Sequence, residues 1–232
     1  MNVLIVIPAF NEGQSIKKTI TDLKKKCSYD FIVVNDGSSD NTEEICIENK
    51  YPLLNLPVNL GLSGAFTAGM KFAYRNGYDA VLQFDGDGQH LPEYIDNLVS
   101  RMAETKADIV IGSRFVKEKK PFSTRMVGSA LITFLIKLTT GKKIKDPTSG
   151  MRLWNRTMIS EFAHEINITP EPDTVSYLIT RGAKVEEIQV KMQERLAGES
   201  YLNFTRSIMY MSRMLISILL VQPFRGKKKL LH

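Results

Sequence analysis

Apolar positions along the chain follow two alternating rhythms. Residues 3–7 are an unbroken run of Val, Leu and Ile, the pattern of a strand covered on both faces. Residues 31–34 and 80–84 repeat it, and shorter apolar stretches at 52–56, 108–111 and 185–190 predict three more strands, the last at a sheet edge. Between these runs the spacing lengthens. Ile16, Ile20 and Leu23 mark a helix over 15–26, and further helices are predicted at 42–49, 64–77, 92–106, 125–139, 157–165, 173–182 and 203–221. Strand alternating with helix implies an α/β fold on a mostly parallel sheet of doubly wound type, flanked by helices.

Three polar clusters, at 8–12, 35–40 and 85–89, each follow a predicted strand. In a parallel sheet all three lie on the rim formed by the carboxyl ends of the strands, where such folds bind their ligands. The third cluster, Asp85-Gly86-Asp87-Gly88-Gln89, carries the most chemistry. Its glycines allow a tight turn. Its two carboxylates, one residue apart, can converge on a single hard cation, and Gln89 adds a neutral oxygen. Mg²⁺ or Mn²⁺ suits such a set, and Mg²⁺ typically takes a few carboxylates together with substrate phosphates. A surface turn that uses Asp and Gly for conformation alone is the alternative. The buried strand in front of the turn favours the metal reading.

The later helices carry polar stripes. Arg125, Ser129, Thr133 and Lys137 recur every four residues and share one side of helix 125–139. In helix 203–221, Arg206, Tyr210, Arg213 and Ser217 oppose Ile208, Met211, Met214, Leu215, Ile218 and Leu219. That helix suits either the core or a membrane interface. Residues 117–120 read as a charged loop.

Composition narrows the class. The 232 residues suffice for one large domain with an appendage, and 43% hydrophobic with 24% charged residues is ordinary for a globular protein. The net charge of +6 is weighted toward the C-terminus, where Arg225-Gly226-Lys227-Lys228-Lys229 ends a basic segment. An anionic membrane surface is the expected partner. No basic residues interleave with aromatics on a stacking platform, so nucleic acid is not expected. Cys27 and Cys46 lack metal-type spacing and read as thiols in a reducing compartment. The N-terminus enters a strand directly without a basic leader, and no run of eighteen uncharged apolar residues occurs. The expectation is a protein on the cytoplasmic side.

Six motifs in order carry a family resemblance. They are Pro8-Ala9-Phe10-Asn11-Glu12, Val33-Val34-Asn35-Asp36-Gly37-Ser38-Ser39-Asp40, Asn59-Leu60-Gly61, Asp85-Gly86-Asp87-Gly88-Gln89, Gly112-Ser113-Arg114 and Asp146-Pro147-Thr148-Ser149-Gly150-Met151-Arg152. Together they resemble family 2 glycosyltransferases of the GT-A, Rossmann-like fold, and within them the dolichyl- or polyprenyl-phosphate sugar synthases, over roughly residues 1–201. The resemblance implies two segments: a catalytic domain at 1–201, and an amphipathic helix with a basic tail at 202–232 that associates with the membrane surface. It implies that Pro8, Ala9, Asn11, Glu12 and Asp36 line the nucleotide-sugar pocket, and that Asp85, Asp87 and Gln89 hold Mg²⁺ or Mn²⁺ against the donor diphosphate. Arg114, Arg125 and Ser129 match acceptor-phosphate positions, Arg114 also counting with Asp85 and Asp87 as catalytic. Arg195 matches a basic residue that folds over the phosphates. Tyr201 departs from the lysine often found after Ser200 in relatives.

The implied reaction is an inverting, metal-dependent transfer of a sugar from a UDP- or GDP-sugar to a polyprenyl phosphate, by a peripheral protein on the inner membrane face. A second copy of the chain stays open as a partner. The alternative acceptor is a sugar hydroxyl of a glycan or glycolipid in cell-surface polysaccharide synthesis. That chemistry needs a base, for which Glu171 or Asp173 would serve. Two further readings are a non-catalytic binding protein, which Asp85 and Asp87 argue against, and a nucleotidyltransferase, which would lack the 146–152 pattern.

Overall fold

The computed structural model describes residues 1–118, 120, 124–165, 167–195, 204–226 and 230, with the side chains of 124, 125, 204–208 and 223 outside the description. Its centre is a seven-stranded sheet: β1 (Val3–Ala9), β2 (Asp30–Asn35), β3 (Leu53–Asn55), β4 (Ala80–Gln83), β5 (Ile109–Ser113), β6 (Arg152–Asn155) and β7 (Val185–Gln189). The spatial order is β3-β2-β1-β4-β6-β5-β7. β1 pairs in parallel with β2 and β4, β2 with β3, and β5 with β7. Only β6 runs against its neighbours, β4 and β5. The expected edge strand at 185–190 is indeed at the edge.

Period-two alternation sends successive strand side chains to opposite faces. Val3, Ile5, Ile7, Val33, Leu82 and Val110 pack beneath α1 (Ile16–Lys26) and α4 (Ile95–Thr105). The short helix α2 (Thr42–Glu48) adds Cys46 to that layer. Leu4, Val6, Val34, Val81, Ile109 and Trp154 face the other way, against α3 (Gly61–Arg75), α5 (Thr124–Thr140), α6 (Arg156–His164) and α7 (Pro172–Thr180). α3 comes close against the sheet at Gly69, where a Cβ would lie 2.4 Å from Val6 Cγ1. Glycine is needed there because the helix lies almost on the strand.

One strand escapes the sequence reading. Residues 152–155, passed over between a loop and a helix, form β6 in the middle of the sheet. Its Arg152 is buried, so a charged residue stands where the strand pattern calls for an apolar one. Arg152 donates from Nη1 to Pro170 O at 2.7 Å and from Nη2 to Pro147 O at 2.6 Å. Two loops supply what water would otherwise provide.

The C-terminal segment is α8 (Phe204–Ile216), continued by a π-helical stretch (Ser217–Val221) and a 3₁₀ turn (Gln222–Phe224). Met214, Ile218 and Leu230 join the main core. Tyr210 donates to Glu171 Oε2 at 2.6 Å, and Ser217 donates to Asp173 Oδ2 at 2.5 Å. The stripe read as polar therefore turns two of its hydroxyls inward. Met209, Ile216, Leu219, Leu220 and Phe224 face solvent. Among the described residues no helix is long and apolar enough to cross a membrane. Residues 196–203 and the lysines of the tail, 227–229, lie outside the described residues.

Candidate active site

The loops after β1, β2, β4 and β5 meet on one rim, joined there by the loop that enters β6. β1 ends in buried Pro8 and Ala9, and the chain then turns through Asn11, whose φ of 57° is left-handed. Asn tolerates that region better than most residues. Its Oδ1 accepts the Ser39 N–H at 2.8 Å and its own N–H donates to Ser38 Oγ at 3.0 Å, so Asn11 ties the first two rim loops together. Glu12 accepts a hydrogen bond from Ser15 Oγ. Burial raises its carboxyl above the ordinary range, and the charges of Asp87 and Asp85 push the same way.

Asp36 is buried, and its N–H donates to Ala9 O at 2.8 Å. Its Oδ1 accepts the Leu60 N–H at 2.7 Å, which holds the Asn59-Leu60-Gly61 loop against the pocket. Asp40 Oδ1 accepts the Thr42 N–H at 3.0 Å at the start of α2.

The Asp85–Gln89 turn follows β4. Asp87 is buried, with Oδ1 accepting the Gln89 N–H at 2.9 Å and Oδ2 facing Arg195 Nε at 3.1 Å. Burial raises its carboxyl, and the neighbouring Asp85 raises it further. Asp85 Oδ1 is buried and accepts no hydrogen bond. Two anions gathered in a partly dry turn, one with an orphaned oxygen, fit a divalent cation. The donor set is hard oxygen throughout. Among the described residues no group of three or more His, Cys, Asp or Glu side chains is assembled for a metal.

His90 is buried beside this turn. Its Nδ1 accepts the Asp85 N–H at 3.0 Å, its Nε2 lies 3.6 Å from Asp85 Oδ2, and its ring meets Phe84 edge-on at 5.5 Å. The segment 192–195 crosses above. Met192 bridges to His90, Gln193 donates its N–H to Gln89 O at 3.1 Å and its Nε2 to Gly88 O at 2.7 Å, and Arg195 reaches Asp87. Arg195 is thus placed at Asp87 of the carboxylate pair.

Arg114, after β5, is held by Asp146 in a two-pronged pair, Nε to Oδ2 at 2.7 Å and Nη2 to Oδ1 at 2.8 Å. Burial acts to raise the Asp146 carboxyl. The Arg114 guanidinium and N–H outweigh it, and the carboxyl sits below the ordinary range. Asp146-Pro147-Thr148-Ser149-Gly150 therefore orients Arg114 while lying against the Asp85–Gln89 turn: a Cβ on Gly150 would lie 3.0 Å from Asp85 Oδ2. Ser129 of α5 is buried and stands 3.4 Å from Thr148 Oγ1. The Arg125 side chain lies outside the described residues. Lys120, passed over as part of a charged loop, donates to Ser129 Oγ at 2.9 Å and to Thr133 Oγ1 at 3.2 Å. Glu171 and Asp173, the bases a hydroxyl acceptor would require, are engaged by Tyr210 of α8 and by Ser217 of its π-helical continuation.

A rim of this kind, with paired carboxylates after β4 and an antiparallel sixth strand, defines a nucleotide-sugar-type glycosyltransferase fold, GT-A. Residues 4–162 match the family described as glycosyl transferase family 2, and the chain belongs to that family. It is 30% identical over 185 residues to the UDP-N-acetylglucosamine–dolichyl-phosphate N-acetylglucosaminyltransferase of Methanococcus voltae, covering 71% of this chain and 73% of that one. It is 29% identical to the undecaprenyl-phosphate mannosyltransferase of Micrococcus luteus over 86% of this chain and 87% of the relative. Among solved structures, glucosyl-3-phosphoglycerate synthase from Mycobacterium tuberculosis in complex with uridine diphosphate superposes with a TM-score of 0.69 at 17% identity, over 94% of this chain and 80% of that one. The protein is a family 2 glycosyltransferase.

Proposed function

We propose that this glycosyltransferase moves a hexose from a nucleoside-diphosphate sugar to a polyprenyl phosphate, with inversion, using a divalent cation held by Asp85, Asp87 and Gln89. The observation that carries this reading is the Asp85–Asp87 pair, Asp87 buried and Asp85 half-buried with its Oδ1 unpartnered among the described residues, lying beneath Arg195 and against the Arg114–Asp146 loop. A bound cation would act as a Lewis acid on the charge that develops on the departing diphosphate. Asn11, Glu12 and Asp36, with Pro8 and Ala9, shape the nucleotide side, and Arg195 closes over the phosphates. A phosphate monoester has a second pKa of about 6, so the acceptor is its own nucleophile and needs no general base. Arg114, Arg125 and Ser129 only have to orient it. The engagement of Glu171 by Tyr210 and of Asp173 by Ser217 supports this choice over a hydroxyl acceptor, as do the two lipid-phosphate relatives.

The same reading sets the protein on the inner membrane face, with residues 1–201 as the catalytic unit and 202–232 contributing to the contact. Val127, Leu131, Phe134 and Leu138 form an exposed apolar stripe on α5. Beside it α8 packs so closely that a Cβ on Gly128 would lie 1.9 Å from Met211 Cε. Stripe and neighbouring helix suit shallow insertion into an interface. Purified protein should transfer label from one member of a nucleotide-sugar panel to polyprenyl phosphate, and EDTA should abolish transfer. It should also sediment with anionic liposomes in a salt-sensitive way, less so after Leu131→Asp with Phe134→Asp. Full activity in EDTA, or transfer to sugar hydroxyls alone, would overturn the proposal.

A further inference from the structure

Lys120 is a cation of this rim that neither the family motifs nor the sequence pattern singled out. Its loop is anchored on the way in: Gln189 Nε2 donates to Arg114 O at 2.9 Å, Lys145 Nζ donates to Val116 O at 2.8 Å, and Lys117 N–H donates to Gln189 Oε1 at 2.7 Å. The ammonium then points inward and is met by neutral oxygens, Ser129 Oγ at 2.9 Å and Thr133 Oγ1 at 3.2 Å, with the Phe115 ring 5.4 Å away. Three charged groups face it from neighbouring elements. Asp146 already has both oxygens on Arg114, Glu187 accepts the Lys145 and Asp146 N–H groups at 2.7 and 2.9 Å, and Arg114 is itself a cation. Among the described residues this half-buried ammonium, beside a guanidinium and with the local carboxylates committed elsewhere, has no anion of its own. Ser129 links it to the acceptor side.

We propose that Lys120, backed by Ser129 and Thr133, binds the phosphate monoester of the acceptor together with Arg114. The assignment rests on the polyprenyl-phosphate reading and deepens it. Arg114 offers a fixed fork. Lys120 supplies a compact charge on a flexible stem, able to follow a tetrahedral phosphate as its oxygen turns toward the sugar. Burial depresses the Lys120 ammonium below its ordinary value of 10.5, so its charge is lost at a lower pH than that of a free lysine.

The test uses the full chain as wild type, Lys120→Ala, Lys120→Arg and Lys117→Ala, with thermal melts to establish folding. Lys120→Ala should raise the acceptor KM roughly 10- to 100-fold, the span of a hydrogen bond between charged groups, with kcat and donor KM near wild type. Lys120→Arg should restore most of the loss, and Lys117→Ala, the same charge removed from the exposed part of the loop, should change nothing. Acceptor kcat/KM should fall as pH rises through the depressed lysine value in wild type, and the fall should be missing in Lys120→Arg. Calorimetry without donor should show farnesyl phosphate binding weakened in Lys120→Ala, and inorganic phosphate in parallel separates headgroup from tail. An unchanged acceptor KM, or a rise in donor KM instead, would overturn the assignment. If wild type used no polyprenyl phosphate, the functional reading would fall by itself. Binding of inorganic phosphate would still decide Lys120: lost in Lys120→Ala it supports the site, retained it removes it.

Discussion

Replacing Arg152 by methionine should cost roughly 3–5 kcal/mol of stability. Methionine fills much of the same space, so the loss falls on polar groups rather than on a cavity. Pro170 O and Pro147 O would each lose a donor now at 2.7 and 2.6 Å. A buried acceptor left unpaired costs about 1–3 kcal/mol. Glu171, mostly buried, would also lose the cation that offsets its charge. These costs overlap, and the variant escapes the desolvation of the guanidinium, so they do not simply add. Even so, 3–5 kcal/mol is a large part of the 5–15 kcal/mol that holds a typical domain together. The single tryptophan, Trp154, lies in the same strand against Phe66 and Phe162, so its fluorescence during urea unfolding reports this core directly. The loss should also depend on pH. Burial raises the Glu171 carboxyl above its ordinary 4.5, against the lowering effects of the Tyr210 hydrogen bond and of Arg152. A raised folded value means stability present below the unfolded value and lost as pH rises through the folded one. Without Arg152 that value climbs further, so the gap between variant and wild type should widen from about pH 4.5 toward neutrality. Adding Glu171→Gln should recover part of it. A loss below about 1 kcal/mol, or one indifferent to both pH and Glu171, would refute the reasoning.

Two further outcomes follow from the packing and the site. Asp87→Asn should lower transfer by about 100-fold or more yet raise the melting temperature of metal-free protein at pH 7. Its carboxyl is raised by burial and by Asp85, so ionisation works against folding as pH climbs above the acid range, and the gain should vanish near pH 4. Gly69→Ala should cost about 1–3 kcal/mol by urea melt, because the new methyl would meet Val6 Cγ1 at 2.4 Å and the β-branched Val6 has little room to turn.

Six strands of the sheet were legible, β1, β2, β4 and β5 most clearly because their largely buried residues form apolar runs, and the half-exposed edge strands β3 and β7 as shorter, mixed stretches. β6 was not. Its four residues include a buried arginine whose partners, Pro147 O and Pro170 O, come from loops that only the folded chain brings together. On the rim, Asp85, Asp87 and Asn11 were legible from their positions after buried strands. Arg195 was legible only through resemblance. Lys120 was hidden in a run of charges, and nothing local says that one of its lysines turns inward to Ser129. Glu171 and Asp173 were visible as acids, but the hydroxyls that engage them, Tyr210 and Ser217, arrive from 39 and 44 residues away.

The reversed direction of β6 also settles what becomes of aspartates at the two ends of the sheet. Because β6 runs downward between two upward strands, its exit at Asn155 lands beside the start of β5, and there Asp108 is saturated. Its Oδ1 accepts Asn155 Nδ2 at 2.7 Å and its Oδ2 accepts the Lys184 N–H at 2.8 Å. At the opposite end the entry to β6 presses Gly150 against Asp85, whose Oδ1 is left bare. One antiparallel strand thus divides a single residue type into masonry and reagent. A carboxyl-modifying carbodiimide would meet that division as a difference in reactivity between Asp85 and Asp108.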